Sequence, residues 1–257
     1  MWQHKPAMWA PGIRQGHPLA TGLVGYWPMW EGGGTRLLDI ASGIVGPLTF
    51  TTLPSTAWTK SETGACIDIG GNKYISTSTT NLATWTPSSG TIACDFTTDT
   101  VTGTHLLMEM SQTAANRIYI RLDADTLTLL SANFLRTTTV AIGVWYRLVY
   151  TWSPTSIALY LDGKFVSSAS GTLTPLATSR TLILGSYVSP VNYFWDGKIS
   201  HLGIWSKQFT ASEVAEIYYD PFSLITPRAR SYFYAATGAV SSKVPVIMSY
   251  LRRRRAA

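Results

Sequence analysis

The sequence predicts an all-β protein, built as an antiparallel β-sandwich of the jelly-roll type. Short segments that alternate apolar and polar residues recur through most of the chain, and Gly, Pro, Asn, Ser and Asp clusters separate them about every ten residues. Only one segment has the longer apolar period of a helix. Aromatic residues make up 12% of the chain, which excludes general disorder even though only 13% is charged.

The clearest strands lie in the middle of the chain. In residues 118–122, apolar Ile118, Ile120 and Leu122 alternate with polar residues, which predicts a strand with one buried face. Residues 157–161 repeat this pattern, and the two-residue hairpin turn Asp162-Gly163 leads from them into residues 164–166. Further strands are expected at residues 22–28, 65–69, 73–76, 91–96, 105–110, 127–131, 145–152, 181–184 and 197–205.

One short helix is expected near the end of this pattern. Thr210 and Glu213 have the spacing of a capping box, in which each side chain bonds the other residue's backbone amide. Val214 and Ile217 then continue an apolar stripe, and Pro221 ends the helix.

The net charge of +6 is concentrated in the last segment. Residues 221–257 hold seven of the 20 basic residues and none of the 14 acidic ones, so the rest of the chain is close to neutral. A neutral body excludes a specific nucleic-acid-binding surface there. We predict an extended N-terminal arm (residues 1–21), a β-sandwich domain (22–220) and a basic extension (221–257).

The basic extension contains apolar patches as well as arginines. Exposed patches of this kind normally need a partner, so we expect the extension to anchor the domain. The alternative is that its charge only keeps the chain in solution. The anchoring candidates are Arg228, Arg230, Tyr232, Phe233, Tyr234, Arg252, Arg253, Arg254 and Arg255.

Cysteine usage and apolar runs exclude several other classes. Cys66 and Cys94 form no Cys-x-x-Cys motif, which excludes a zinc ribbon or a disulfide-dense scaffold. No apolar run reaches the roughly 18 residues that a membrane span needs. The first residues lack the apolar segment of a Sec-type signal peptide, so no secretory leader is expected.

Several motifs, in the same order along the chain, resemble the laminin-G-like, concanavalin A-like lectin/glucanase domains. Together they cover about residues 22–220, and the resemblance implies a concanavalin A-like jelly roll. The motifs are GLVGYWPMWEGGG (22–34), WYRLVYTW (145–152), IALYLDGK (157–164), LILG (182–185), YFWDGKI (193–199) and GIWS (203–206).

This fold carries lectins, adhesion modules, hydrolases and structural domains, so it does not by itself select a function. The His17-Pro-Leu-Ala lead-in and the Pro- and Arg-containing end are similar to laminin-G-like proteins of tailed phages and prophages. That resemblance implies a virion surface protein of the decoration or fibre type with a lectin-like face. Its expected partners are other virion subunits or its own copies, and a cell-surface glycan.

The alternatives are a free carbohydrate-binding lectin and, after it, a glycoside hydrolase. Retaining glycosidases need two carboxylates about 5–5.5 Å apart, which on a strand means a spacing of i, i+2 or i+4, so that both point to one face. Glu109 has no acidic residue at that spacing, and the pair Asp123 and Asp125 lies beside turn residues. We therefore expect no catalytic residues and no enzyme activity.

Aromatic side chains in loops are the candidate ligand site, because the C–H faces of sugars stack on aromatic rings. The loop before the strand at 197–205 combines aromatic rings with hydrogen-bonding side chains. The alternative is that these rings pack in the core or between subunits. The candidates are Tyr187, Asn192, Tyr193, Trp195 and Asp196 in this loop, and Trp85 in a second loop.

Calcium is the cofactor that the resemblance suggests, held by carboxylate and carbonyl oxygens. The candidate ligands are Asp39, Asp123 and Asp125. Related domains carry Asp-Glu where this chain has Ser200-His201, so one frequent carboxylate pair is absent. The sequence therefore leaves calcium binding open.

Overall fold

The computed structural model describes residues 5, 11–41, 48–50, 55–76, 88–111, 117–131, 134–170, 181–187 and 192–227. These residues form 18 strands, the α-helix α1 (Ala211–Tyr219) and two 3₁₀ helices (Pro18–Ala20 and Ser55–Ala57). The strands are β1 (Pro11–Ile13), β2 (Leu23–Trp27), β3 (Arg36–Leu37), β4 (Leu48–Phe50), β5 (Trp58–Ser61), β6 (Gly64–Asp68), β7 (Ile75–Ser76), β8 (Gly90–Thr98), β9 (Thr104–Ser111), β10 (Arg117–Asp123), β11 (Thr126–Ser131), β12 (Phe134–Thr139), β13 (Tyr146–Trp152), β14 (Ser156–Leu161), β15 (Lys164–Ser170), β16 (Thr181–Leu184), β17 (Gly197–Trp205) and β18 (Ile225–Pro227).

Two large sheets form the sandwich, as the sequence predicts. The front sheet has the strand order β12-β11-β10-β9-β16-β7-β4-β3. The back sheet has the order β15-β14-β13-β8-β17-β6-β5, and β2 also pairs with β17. Neighbouring strands in both sheets are antiparallel. Strands next to each other in a sheet are often distant in sequence, which is the pattern of a jelly roll.

Strand alternation places one face of the front sheet in the core. On β10, Ile118, Ile120 and Leu122 are buried in the main core between the two sheets. Because side chains alternate along a strand, Arg117 and Tyr119 then lie on the outer face. The predicted amphipathic strand at residues 118–122 is thus confirmed.

The back sheet, in contrast, is buried on both faces. A second apolar cluster lies on its outer side, where Tyr26 and Trp205 pack against helix α1 and the segment after it. We call residues 209–225, which include α1, the cover. Among the described residues, the cover thus packs on the outer face of the back sheet and not on that of the front sheet.

Helix α1 begins as the sequence predicts. The Glu213 amide donates to Thr210 Oγ1 at 3.3 Å, and the Thr210 amide donates to Glu213 Oε2 at 2.9 Å, which completes the capping box. Val214 and Ile217 are the buried residues of the helix and pack in the second cluster. Among the described residues, no helix has the length and apolar character needed to cross a lipid bilayer.

Ordered structure continues on both sides of residues 22–220. Strand β1 pairs with β18 in a separate two-stranded sheet, so residues 11–13 and 225–227 lie side by side. Leu19 is buried in the second cluster, and its carbonyl accepts a hydrogen bond from Trp205 Nε1 at 2.6 Å. The predicted N-terminal arm includes a 3₁₀ helix that begins at Pro18, a position where the N–H that proline lacks would have no partner within the helix.

A buried ion pair joins the back sheet to the cover. Arg147 Nε and Nη2 donate to the two carboxylate oxygens of Asp95, each at 2.6 Å. Arg147 Nη1 also donates to the carbonyls of Ile217 at 3.1 Å and Tyr218 at 2.5 Å. The guanidinium therefore neutralises Asp95 and the negative end of the α1 dipole together.

The charge state of this pair follows from its surroundings. Burial alone would raise the pKa of Asp95, but the charge and hydrogen bonds of Arg147 outweigh burial and hold this pKa well below its usual range. Beside the pair, His201 Nδ1 lies 3.9 Å from Asp95 Oδ1, and burial lowers the pKa of His201. The site thus holds one carboxylate and one guanidinium.

We expect Arg147→Met to destabilise the domain by about 3–5 kcal/mol, because it leaves the Asp95 carboxylate buried without its partner. Lys198→Met is the matched control, since it breaks the exposed Lys198–Asp99 pair (3.0 Å) and costs at most about 1 kcal/mol. Urea unfolding of both variants measures the difference. Equal losses in the two variants would show that the buried pair does not hold the cover.

Candidate functional site

The outer face of the front sheet carries a cluster of tyrosines and charged side chains. Strand β10 contributes Arg117, Tyr119, Arg121 and Asp123, and Glu109 lies opposite Tyr119 on β9. The loop that follows β16 adds two more rings. We call this set the tyrosine–arginine face; its members are Glu109, Arg117, Tyr119, Arg121, Asp123, Tyr187 and Tyr193.

Three tyrosine rings pack edge to face across the tyrosine–arginine face. The centroids of Tyr119 and Tyr187 are 6.0 Å apart, and those of Tyr187 and Tyr193 are 5.3 Å apart, with interplanar angles of 75° and 80°. Tyr119 and Tyr187 are buried, whereas Tyr193 is 47% exposed. Tyr193 is therefore the ring that this row presents to solvent.

Two guanidinium groups cover the buried tyrosines. The Cζ atom of Arg117 lies 4.8 Å from the Tyr119 ring centroid and 5.4 Å from that of Tyr187. Arg121 Cζ lies 5.5 Å from the Tyr119 centroid. These cation–π contacts place both guanidinium groups over the tyrosine rings, with about a quarter to a third of each arginine side chain exposed.

Each arginine also has a carboxylate partner. Arg117 Nη1 lies 4.0 Å from Glu109 Oε1, and Arg121 Nε donates to Asp123 Oδ2 at 2.6 Å. Burial alone would lower the pKa of Arg121, but hydrogen bonds to Tyr187 and Asp123 outweigh it and raise this pKa. Two guanidiniums pair with two carboxylates, so the formal charges of the face cancel. The Glu109 side chain is buried, and Asp123 is the partly exposed acceptor.

Backbone contacts fix the position of Tyr193. The Leu106 amide donates to the Tyr193 carbonyl at 2.6 Å, and Leu106 and Phe194 form a parallel β-bridge. The Tyr187 amide and the Ser186 hydroxyl both donate to the Asn192 carbonyl, at 3.2 and 3.0 Å. The described part of the loop is thus tied both to β9 and to itself, which gives the exposed ring a defined orientation.

The structure separates the predicted loop residues into two groups. Tyr187 and Tyr193 belong to the tyrosine–arginine face, and Asn192 closes the loop beneath them through its backbone. Trp195, in contrast, has no exposed surface. Its Nε1 donates to the Thr97 carbonyl at 3.1 Å, and its ring packs in the main core. Its assignment to the ligand site is corrected, because a fully buried ring cannot stack on a sugar.

Asp196 lies at the other end of the same segment. Its carbonyl accepts a hydrogen bond from the Asp99 amide at 2.8 Å, and its carboxylate lies against Gly70. The remaining candidates lie outside the described residues: Trp85, Arg228, Arg230, Tyr232, Phe233, Tyr234, Arg252, Arg253, Arg254 and Arg255.

The three aspartates proposed for calcium do not converge. Asp39 Oδ1 accepts the amides of Tyr26 and Ala41, both at 2.9 Å, beside the back sheet. Asp123 belongs to the front sheet and is held by Arg121, while Asp125 Oδ1 accepts from the Thr126 hydroxyl at 3.2 Å. Across the described ranges, no three His, Cys, Asp or Glu side chains are grouped as metal ligands. These aspartates therefore do not fit a shared calcium ion.

Sequence reasoning did not assign Arg117, Tyr119 and Arg121 to the site. The available signal was the polar half of the β10 alternation, which places Arg, Tyr and Arg in a row on one face of a strand. What could not be read from the sequence was that this row lies beside Tyr187, almost 70 residues later in the chain.

No curated protein matches the chain at significant similarity. The fold, however, is similar to many solved structures. Domain 4 of AbnA, a GH43 extracellular arabinanase from Geobacillus stearothermophilus solved with arabinotriose, is 16% identical with a TM-score of 0.60; the match covers 76% of this chain and 98% of that one.

Two further neighbours are parts of larger proteins. Trypanosoma rangeli sialidase in complex with sialic acid is 14% identical, with a TM-score of 0.58, and the match covers 79% of this chain and 33% of the sialidase. The binding domain of botulinum neurotoxin serotype G is 13% identical, with a TM-score of 0.57, and the match covers 78% of this chain and 51% of that domain. The chain thus spans about a third of the sialidase. At these identities the likeness concerns the fold alone.

A family comparison agrees with the sandwich and with the motifs that suggested it. The laminin G-type model described as the concanavalin A-like lectin/glucanases superfamily matches residues 69–215, which is more than half of the chain. That range runs from the end of β6 into helix α1 and includes every described residue of the tyrosine–arginine face. The chain therefore belongs to the concanavalin A-like lectin/glucanases superfamily.

Proposed function

We propose that this protein is a non-enzymatic carbohydrate-binding protein that displays its tyrosine–arginine face on a virion surface. The observation that carries the proposal is the exposed ring of Tyr193, fixed beside two arginine–carboxylate pairs. An aromatic ring stacks on the C–H face of a sugar, and the neighbouring donors and acceptors bind its hydroxyls.

The ligand class follows from the charge balance of the face. Arg117 and Arg121 each have an acidic partner, so no net charge is left to attract an anion. Sugar hydroxyls both donate and accept, which suits a surface that offers two guanidinium groups and the partly exposed Asp123 carboxylate. We infer that the ligand is an uncharged oligosaccharide. The AbnA domain, solved with arabinotriose, supports a search among such ligands.

The arrangement of carboxylates supports a binding role rather than hydrolysis. Glu109 is buried and lies opposite Tyr119, whereas Asp123 lies four residues further along β10. That separation is about 13 Å along the strand. Glycosidases place their two carboxylates about 5–9.5 Å apart. This wide spacing along the strand supports a binding role rather than either glycosidase mechanism.

The virion role rests on the resemblance to phage-encoded laminin-G-like proteins and is compatible with the pairing of β1 with β18. Strands β1 and β18 are paired, so residues 11 and 227 are neighbours. Ile225 of β18 packs in the second cluster, on the back-sheet side of the molecule. Residues 11–13 and 225–227 thus lie on the side of the described domain away from the tyrosine–arginine face.

Tyr193→Ala should weaken arabinotriose binding about tenfold, because it removes the exposed stacking ring. Tyr219→Ala is the matched control: Tyr219 is 70% exposed but ends helix α1, which packs on the back sheet, and its loss should leave affinity unchanged. Isothermal titration calorimetry of the two variants gives the comparison. Equal weakening in both, or none in Tyr193→Ala, would place the binding surface elsewhere.

A glycan array of the full chain tests the ligand class. Uncharged oligosaccharides, including arabinotriose, should bind more tightly than sialic acid, since the face has no unpaired cation to offer a carboxylate. Preference for sialic acid would refute the charge argument. A reducing-end assay on the bound glycans should give no product, and activity that disappears in Glu109→Gln would make the protein a hydrolase.

Anchoring through the basic extension is tested by a chain that ends at residue 227, which retains every described element. We expect this chain to keep the folded sandwich and glycan binding but to lose incorporation into virions or self-assembly. Analytical ultracentrifugation and circular dichroism of both chains measure assembly and folding. Assembly that persists without residues 228–257 would contradict this part of the proposal.

A further inference from the structure

The side chain of Lys5 lies against the hairpin that β5 and β6 form. Its backbone amide donates to the Thr63 carbonyl at 2.9 Å, and its Cβ, Cγ and Cδ atoms pack over Gly64. Its Nζ donates to the Met29 carbonyl at 2.9 Å and also to the Ala65 carbonyl. The amine is therefore fixed between two backbone carbonyls, one from β6 and one from the segment after β2.

Two acceptors suit a neutral amine better than an ammonium group. An ammonium has three N–H donors and no lone pair, whereas a neutral amine has two N–H donors and one lone pair. Among the described residues, the hydrogen-bond partners of Lys5 Nζ are these two carbonyls. The neutral form thus satisfies both of its N–H groups, and its lone pair points away from them. The ammonium form leaves one donor unpaired in a largely desolvated place, which is unfavourable.

The ionisable groups that face the amine supply little opposite charge. Asp95 of β8 is already paired with Arg147 through both carboxylate oxygens. Burial raises the pKa of the Cys66 thiol to about 11 and lowers the pKa of His201, so both groups are uncharged at neutral pH. The remaining carboxylate is that of Glu31, and one of its oxygens already accepts a backbone amide at 2.6 Å.

These surroundings make the neutral amine available near neutral pH. Burial lowers the pKa of Lys5 to about 8, because the loss of water disfavours the ammonium more than the facing carboxylates favour it. An ordinary lysine has a pKa of about 10.4, so at pH 8 about half of Lys5 is neutral, against about 0.4% of an ordinary lysine. The neutral amine is the form that attacks a carbonyl carbon.

Space for a small group lies beside the same hairpin. A cavity of about 270 Å³ is lined by residues 58–61 of β5, by Gly32, and by Gly64 and Ala65. Gly64 and Ala65 are the two residues of β6 that Lys5 contacts. Lys5 itself is partly exposed, so a small reagent can reach it from solution.

We propose that Lys5 is a nucleophilic lysine that accepts small acyl groups, such as acetyl, from activated donors of the thioester, acyl phosphate or active-ester class. The Nζ lone pair attacks the acyl carbonyl carbon, and the bond from that carbon to the leaving group breaks. The leaving group departs with the bonding electrons, and one N–H proton passes to water. The amide product keeps one N–H, so one of the two carbonyls loses its hydrogen bond. This modification site is independent of the proposed glycan binding.

The test is labelling of the full chain with a limiting amount of N-hydroxysuccinimidyl acetate between pH 6.5 and pH 10. Mass spectrometry of the digested protein gives a rate for each lysine. Lys60 and Lys164 are exposed and serve as internal comparisons. At pH 7.5 Lys5 should react about tenfold faster than either, since its larger neutral fraction exceeds the loss from weaker basicity and partial burial. Its rate should level off above about pH 8, whereas an ordinary lysine gains neutral amine up to about pH 10.

A matched pair of variants tests the surroundings of the amine. The negative charge of Glu31 favours the ammonium form of Lys5, so Glu31→Gln should increase the Lys5 rate at pH 7 about two- to threefold. The glutamine keeps an oxygen that can accept the Leu38 amide. Glu62 is exposed in the turn of the same hairpin, and Glu62→Gln should leave the rate unchanged.

Labelling in concentrated urea shows whether the fold is responsible. Loss of the Lys5 advantage in urea, together with a rate that levels off near pH 8 in the folded chain, supports the proposal. A Lys5 rate at or below that of Lys60 at pH 7.5 would overturn it. So would a rate that goes on rising to pH 10, or an advantage that persists in the unfolded chain.

Discussion

The buried pair of Asp95 and Arg147 links the two parts of the molecule that must stay together. One guanidinium neutralises a carboxylate on β8 and at the same time holds the last carbonyls of helix α1. Both charged residues belong to the back sheet, so the contacts that hold the helix are the hydrogen bonds from Arg147 to the Ile217 and Tyr218 carbonyls, which would be lost if the cover moved away. The cover is thereby fixed on the back sheet, and the apolar residues beneath it, including Trp205, stay buried.

The cover packs on the outer face of the back sheet. The side chains of the proposed glycan-binding site lie on the outer face of the other sheet, the front sheet. Arg117 and Arg121 lie on Tyr119 there and are balanced by Glu109 and Asp123, so the face is polar and rigid without a net charge. Its one well-exposed ring comes from a loop rather than a strand. That ring depends on backbone contacts with β9, since its own conformation is unfavourable for a large side chain.

Much of the fold can be predicted from local sequence patterns, because burying one face of a sheet imposes a period of two. Residues 118–122 and the hairpin at Asp162-Gly163 show this, and so does the capping box of Thr210, where a local hydrogen-bond pattern fixes the start of the helix. Short pairings such as β1 with β18 carry no such period. They form between segments more than 200 residues apart, and only the packed domain brings them together.

The candidate site also combines features that local sequence patterns predict with features that depend on long-range packing. The sequence by itself determined the sandwich, its family, the polar face of β10 and the presence of tyrosines in the loop after β16. Only the tertiary structure decided that Trp195 points into the core while Tyr193 points out, and that Tyr187 lies beside Arg117 and Tyr119. The physical reason is that alternation fixes which face of a strand a side chain occupies, whereas the neighbours across that face depend on strand order and loop path, which long-range packing sets.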